Sequence, residues 1–310
     1  MNRDPTPCRE GDHGKFEMTE RDGWARLGKL HTSTHILNTP CLLPVINPNI
    51  RTVEPRELWE RYGFEALITN SYVIWKHDKL KSKALEDGVH ALLDYPGVIM
   101  TDSGTFQNYV YGDVEVGIEE IVTFQREIGV DIATMLDVFG TPDMTKEEVE
   151  EAVRETIARA GVSIDAAEGT LLNGPIQGGV HADLRAKSAV GMAEHGFGVH
   201  PIGGIVPLME RQRYRELVEI ILACREHIPW NRPVHIFGCG HPHLFPICVA
   251  LGADLFDSAA YALFARDDRM LMPWGTVKLG DLAEFPIATE ALAGHPPASV
   301  MALADDARCE

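Results

Sequence analysis

At 310 residues with 45% hydrophobic side chains, the chain can bury one large core or two ordinary ones, and no apolar run approaches the ~20 residues needed to span a bilayer. Acids outnumber bases 46 to 28, a formal net charge of -18, so a uniformly acidic surface would repel nucleic acid and any polynucleotide contact has to be local. That balance suits a protein working in concentrated salt and, equally, an ordinary acidic cytosolic protein. The six cysteines (Cys8, Cys41, Cys224, Cys239, Cys248, Cys309) are scattered without C-x-x-C spacing, which gives neither a disulfide framework nor a cysteine zinc site. Cys41, Cys224 and Cys248 read as small core hydrophobes.

Residues 1–15 read as a polar, disordered start with no apolar segment of the kind a secretory signal carries, so a cytoplasmic location is expected. Phe16–His31 alternates loosely around Asp22-Gly23 and predicts a β-hairpin, a lid on one end of the domain. Short apolar runs then predict eight strands: Leu42–Ile46, Ala66–Thr69, Val98–Thr101, Ile132–Leu136, Pro175–Gln177, Val199–Gly203, Val234–Phe237 and Asp254–Phe256. Between them lie helical patterns at Pro55–Tyr62, Lys79–Leu93, Gly117–Ile128, Thr145–Ala160, His181–Ala193, Glu210–His227 and Pro242–Leu251. The fourth of these opens on a capping box, Thr145 with Glu148. Strands alternating with helices predict a (β/α)₈ TIM barrel in one domain over 16–286, followed by a Pro-rich tail over 287–310. The rival, a doubly wound open sheet, would want a G-x-G-x-x-G after its first strand, and none is there.

In a parallel barrel, working residues collect at the C-terminal strand ends. Reading those ends in order gives Asn70, Asp102-Ser103 with Phe106 and Gln107 close behind, Asp137, Gln177, Gly203-Gly204, a Gly-Cys-Gly-His segment ending at His241, and Asp257. The set suits a flat heterocycle. Carboxylate and amide groups bond ring N–H and carbonyl groups, Gly-Gly exposes backbone donors, and Phe106 offers a stacking face. Two remaining aspartates suit glycosidic chemistry, one attacking the anomeric carbon and one handling protons. Taken singly, each residue has a plainer reading. A strand-end Asp is as often a turn or cap residue, a buried Gln is a satisfied core amide, and Gly203-Gly204 permits a tight turn. His235, His241 and His243 beside Cys239 match no zinc spacing and read as loop and cap residues.

Eight ordered segments give the plainer readings less weight: LLPVINPN, ITNSYVIW, LLDYPGVIMTDSGTFQNYVYGDVEV, ATMLDVFGTPD, GPIQGGVHADLR, HPIGGIVPLMERQRY, HIFGCGHPH and ALGADLFDSAAYALFARDDRML. Over residues 16–286 the chain resembles the catalytic domain of the tRNA-guanine transglycosylases, in the archaeosine-type branch. The resemblance implies that Asp257 is the nucleophile of a covalent ribosyl intermediate and Asp102 the general acid/base. It also implies that Ser103 bonds and Phe106 stacks on the base, and that Asp137, Gln177, Gly203 and Gly204 surround the incoming base. The implied reaction replaces a guanine by a 7-deazaguanine on the same sugar, with retention, after the nucleotide leaves its stack.

The chain departs from that family where the tRNA enzymes carry three zinc-binding cysteines. Ile287, Thr289 and Leu292 occupy those positions, so no zinc and no zinc-binding subdomain is expected, and no cofactor is called for. Further RNA-binding domains are not seen before Glu310. A stripped barrel resembles virus-encoded relatives that modify DNA, so DNA is the expected polynucleotide, in a host cytoplasm if the source is viral. The alternatives are tRNA, with RNA-binding domains on a partner chain, and an inactive partner subunit. A barrel enzyme for a phosphorylated small molecule fits less well, because strand eight ends in a carboxylate. Lys76, Lys79, Lys81 and Lys83 form the densest basic run and are the expected phosphate contacts, or else a solvated helix face. The other expected ligand is a free 7-deazaguanine base, and a homodimer is one assembly the resemblance allows.

Overall fold

The structure, a computed structural model, describes residues 6–105, 116–273 and 275–280. Its centre is an eight-stranded, all-parallel sheet: β4 (Cys41–Ile46), β5 (Ala66–Asn70), β6 (Val98–Asp102), β7 (Ile132–Thr134), β8 (Leu171–Asn173), β9 (His200–Ile202), β10 (Val234–Ile236) and β11 (Leu255–Ser258). The hydrogen-bonded order runs β8-β7-β6-β5-β4-β11-β10-β9. Bridges Asn173↔Val199 and Ile176↔Ile202 join its two outer strands. The expected TIM barrel is therefore present, and closing it removes both sheet edges.

Period-2 alternation sorts the strand side chains. Leu43, Ala66, Ile68, Val98, Met100, Ile132, Leu171, Val199 and Leu255 fill the barrel interior as one buried cluster. Leu67, Ile99, Ala133, Leu172, Ile202, Val234, Ile236 and Phe256 face the helices and join the larger outer core. Because both faces are covered, strand β5 is buried at every position and reads as a continuous apolar run.

The N-terminal segment is a three-stranded antiparallel sheet: β1 (Phe16–Asp22), β2 (Ala25–His31) and β3 (Ile36–Thr39). The first two are the expected hairpin; the third is too short and mixed to have been read. Phe16, Leu30 and Leu37 pack into the interior cluster, so this sheet plugs the barrel at the end where the strands begin. Two buried polar knots fasten it. Arg26 donates from Nε and Nη2 to the two carboxyl oxygens of Asp254 at 2.8 and 2.6 Å, with both side chains fully buried. Asp131 accepts from the hydroxyls of Thr32, Ser33 and Thr34 and from the Ile99 amide.

Several boundaries differ from expectation. The fifth barrel strand is Leu171–Asn173, not Pro175–Gln177, because Pro175 lacks the N–H that a central strand must donate; the chain past Gly174 keeps only the Ile176 bridge. The expected Lys79–Leu93 helix breaks into Asp78–Asp87 and Val89–Leu93 at Gly88, whose φ is +83°. Glu210–His227 likewise divides into Val206–Glu210 and Tyr214–Arg225. Lys146–Ala158 carries the expected capping box, with Thr145 Oγ1 accepting from Glu148 N and Thr145 N donating to Glu148 Oε2. A two-stranded ribbon, β12 (Arg269–Met272) and β13 (Gly275–Lys278), follows the barrel and was not expected. The 287–310 tail, with Ile287, Thr289 and Leu292, lies outside the described residues. Among the described residues no helix is long and apolar enough to cross a membrane.

Removing the carboxylate of Asp254 leaves the Arg26 guanidinium buried against Phe16 with only carbonyl partners. Asp254→Ala is expected to cost about 3–5 kcal/mol, the usual penalty for breaking a buried pair from one side, measured as a lowered urea midpoint.

Candidate active site

The inward alternation that fills the barrel with Ala66, Ile68, Val98, Met100 and Leu255 places Asn70, Asp102 and Asp257 at its next step, at the C-terminal strand ends. Asn70 and Asp102 are register partners on β5 and β6. Asn70 caps the helix Ser71–Lys76 by accepting from Val73 N at 2.7 Å. That fixes the amide so that its Nδ2 donates to Asp102 Oδ1 at 2.7 Å. Gly104 N donates to the same oxygen at 2.8 Å. Gly104 has φ +88°, and a Cβ there would lie 2.4 Å from Cβ of Tyr72, so only glycine brings that amide under the carboxylate. Asp102 is half-buried by surface, its edge reaching the mouth while its carboxyl is packed among protein groups. Burial pushes it up to about 7; the charge of Asp257 adds to the rise and that of Asp137 contributes, against the opposing Gly104 and Asn70 bonds.

Asp257, the penultimate residue of β11, is 8% exposed. Its Oδ1 accepts from Gly238 N at 2.9 Å and lies 2.9 Å from His235 Nε2.

A second cluster completes the mouth. Asp137 and Gln177 are both buried, with Gln177 Nε2 donating to Asp137 Oδ2 at 2.5 Å and Gly140 N reaching Gln177 Oε1 at 3.5 Å. Burial raises the Asp137 carboxyl, opposed chiefly by the Gln177 bond. A Cβ on Gly203 would lie 2.5 Å from Gln177 Nε2, and one on Gly204, whose φ is +70°, 2.6 Å from Gly140 O. The two glycines are thus required by close approach as well as by turning. Ser103 is buried, its hydroxyl 3.2 Å from that of Thr105. Phe106 lies outside the described residues.

Three neighbours escaped the sequence reading. Asn70 was visible only as a strand-end amide. Arg185, fully buried in the helix Ala182–Ala193, donates to the carbonyls of Ile176, Gly179 and Gly203 at 2.7–3.0 Å. It staples the loop that carries Gln177 to the one that carries Gly203, and without a carboxylate partner its burial lowers it to about 10. His235 lies inside the expected Val234–Phe237 strand but was given only a loop-and-cap role; in β10 it is fully buried and faces Asp257. His241 and His243 do lie in a loop and turn, the latter 3.2 Å from Tyr214 OH. Among the described residues no cluster of three or more metal-ligating side chains occurs. Ile287, Thr289 and Leu292 carry neither thiolate nor imidazole.

The basic run lies in the connection that leaves the mouth end of β5. Lys76, Lys79 and Lys83 are exposed, and Lys76 Nζ reaches Tyr72 OH at 3.3 Å. Lys81 is instead folded over the Trp75 indole, 4.5 Å from its centroid. Two carboxyl groups at the barrel mouth, one raised toward neutrality, can divide nucleophilic and proton-transfer work, beside the amide–carboxyl–glycine cluster of Gln177, Asp137, Gly203 and Gly204.

Residues 21–290 match the family described as queuine tRNA-ribosyltransferase. Among similar proteins, the tRNA-guanine(15) transglycosylase of Methanopyrus kandleri is 47% identical over 92% of this chain and 62% of its own. That of Thermococcus onnurineus is 48% identical over 91% and 48%. That of Thermoplasma acidophilum is 49% identical over 87% and 42%. The chain therefore spans about half the length of the curated relatives it matches.

With the folded carboxyl of Asp102 raised above its unfolded value, protonation favours the folded state. Stability from this group is full below pH ~4 and declines as pH rises toward about 7. Asp102→Asn is expected to remove that decline. The difference between wild type and variant across the window should be no more than about 4 kcal/mol, less for the part of the carboxyl that water reaches, read from denaturant midpoints at several pH values.

Proposed function

Because this chain belongs to the queuine tRNA-ribosyltransferase family, we propose that it is the catalytic part of a guanine transglycosylase that exchanges guanine in tRNA for a 7-deazaguanine. The observation that carries the reading is that two separately held carboxyl groups, Asp102 on Asn70 and Gly104 and Asp257 on Gly238, stand at one barrel mouth, next to Asp137 and Gln177 joined by a hydrogen bond. Asp257 attacks C1′ of the target ribose as a carboxylate; the C1′–N bond to guanine breaks as the C1′–O bond forms. Asp102 gives its proton to the departing base. It then takes a proton from the incoming base as that base attacks C1′ and releases Asp257, so two inversions return the original configuration. A group that titrates near neutrality serves both directions of proton transfer.

Asp137 accepts from the N–H edge of the base, and Gln177 reads its carbonyl side. Gly203 and Gly204 bring backbone against the ring, with Ser103 bonding it and Phe106 stacking on it. Lys76, Lys79 and Lys83 face the phosphates at the rim. The nucleotide reaches the mouth only after leaving its stack, at a cost of a few kcal/mol. The sequence alone favoured DNA because RNA-binding domains were not seen. The relatives named for tRNA and covering more than this chain turn that order around, and DNA stands as the alternative.

The test is nucleoside mass spectrometry after incubation with 7-cyano-7-deazaguanine, on unmodified tRNA and duplex DNA in parallel at low and molar salt. Modified ribonucleoside alone is expected; deoxynucleoside alone would overturn the tRNA reading, and no exchange by the folded protein would overturn transglycosylation. Asp257→Ala should yield no exchange, and Asp102→Asn should lower the rate by about 10²–10⁴-fold. Replacing Lys76, Lys79 and Lys83 together by Glu should raise the KM for polynucleotide. It should also flatten the slope of log K against log salt by roughly 2–3, while the affinity for free guanine stays unchanged.

A further inference from the structure

We propose that His235 is the positioning residue of the nucleophile: with the Gly238 amide it holds Oδ1 of Asp257 and leaves Oδ2 as the oxygen that attacks the sugar. The inference rests on the transglycosylase reading above and adds to it which oxygen reacts and what aims it.

β10 and β11 are parallel neighbours in which His235 pairs with Leu255. Val234 and Ile236 point outward into the helical core, so alternation turns His235 inward. There its side chain is fully buried with Nε2 2.9 Å from Asp257 Oδ1, in close polar contact but off the line of a good hydrogen bond. Gly238, two residues beyond the strand, has φ +72° and no room for a Cβ, which would meet Val206 Cγ2 at 2.3 Å. That conformation aims its amide at the same Oδ1 at 2.9 Å. One short segment of the neighbouring strand therefore contributes both contacts, and both fall on one oxygen. No described residue donates to Oδ2, and the Asp257 side chain keeps 12% of its surface open to the mouth.

The cost of this arrangement points the same way. Neither ring nitrogen of His235 makes a well-formed hydrogen bond within the described residues. A buried imidazole in that state costs free energy that an apolar ring of the same size would not. Phe237 packs edge-on at 4.7 Å and holds the ring plane, so the imidazole does not swing away to find another partner. A polar ring kept dry, held in place and pressed on one carboxyl oxygen makes sense if that oxygen is to be immobilised. A carboxylate whose Oδ1 is pinned cannot rotate its Oδ2 off the line of attack, and alignment of this kind is a large part of what enzymes supply.

The experiment uses the full chain, an unmodified tRNA transcript and radiolabelled guanine, so that exchange is read without reference to which 7-deazaguanine is used. His235→Phe keeps the ring and removes both nitrogens; His235→Gln restores a donor where Nε2 stood. The expected result for His235→Phe is a single-turnover rate of covalent adduct formation lowered about 10- to 100-fold. Its KM for tRNA and its affinity for free guanine should stay within about threefold of wild type, and its melting temperature should be equal or higher. His235→Gln is expected to recover most of the rate. If the phenylalanine variant does not fold, His235→Met is read in its place. An unchanged adduct rate in a folded variant overturns the inference, as does an equal loss of free-guanine affinity, which would mean a general collapse of the pocket. Absence of any adduct with the wild-type protein is a different failure, that of the transglycosylase reading itself.

Discussion

Everything at this barrel mouth depends on desolvation of one carboxyl group. Asp102 sits where the inward-facing column of β6 meets the opening, above Met100 and Val98. The floor beneath it stays dry only because the barrel is closed by the Asn173 and Ile176 bridges and because Phe16, Leu30 and Leu37 plug the far end. A leak at either place would let water lower the cost of charging Asp102. The N-terminal sheet, distant from the chemistry along the barrel axis, is thus coupled to it through dielectric rather than contact. That gives a physical reason for fastening it with Arg26–Asp254 and the hydroxyl knot on Asp131.

The proposed base-binding side meets a different problem, holding a planar ligand with few side chains. Gln177 and Asp137 satisfy one another through their hydrogen bond, which avoids leaving either buried without a partner. A ligand that replaces their mutual bond has to offer both a donor edge and an acceptor, which a guanine-like ring does. The glycines at 203 and 204 carry no side chain because Gln177 and the Gly140 carbonyl occupy the space. Arg185 then does from below what no side chain could do from above. Its rigid donor fork spans the carbonyls of two loops, and being charged yet unpaired it stays where those carbonyls solvate it.

Much of this was legible in the chain because the physics is local and periodic. The runs Ala66–Thr69 and Val98–Thr101 announce themselves as short apolar stretches ending in a polar residue, Asn70 and Asp102, and Thr145 with Glu148 announces a helix start. The fifth strand was misplaced because Ile176 and Gln177 look like strand residues, whereas the ladder is decided by the N–H that Pro175 lacks. His235 and Arg185 were passed over for another reason. A lone His inside an apolar run and an Arg on a short helix carry no local signal, and their meaning exists only once β10 lies beside β11 and one helix lies beneath two loops. The roles of Asp257, Asp137 and Gln177 came from the resemblance of ordered segments rather than from spacing.

Charge completes the argument. A chain at -18 that places Asp102, Asp137 and Asp257 in one cavity would seem badly suited to a polyanion. The distribution resolves this. Phosphates are repelled from the mouth, whereas a neutral base with an N–H edge is drawn toward it, so the cavity sorts the parts of a nucleotide by charge. The exposed lysines at 76, 79 and 83 stand on the connection leaving β5, and Lys81, laid over Trp75, stiffens that connection rather than adding to the cationic face. On the proposed function, a phosphate backbone is stable only on the rim of so acidic a mouth, and a nucleotide enters by presenting its base.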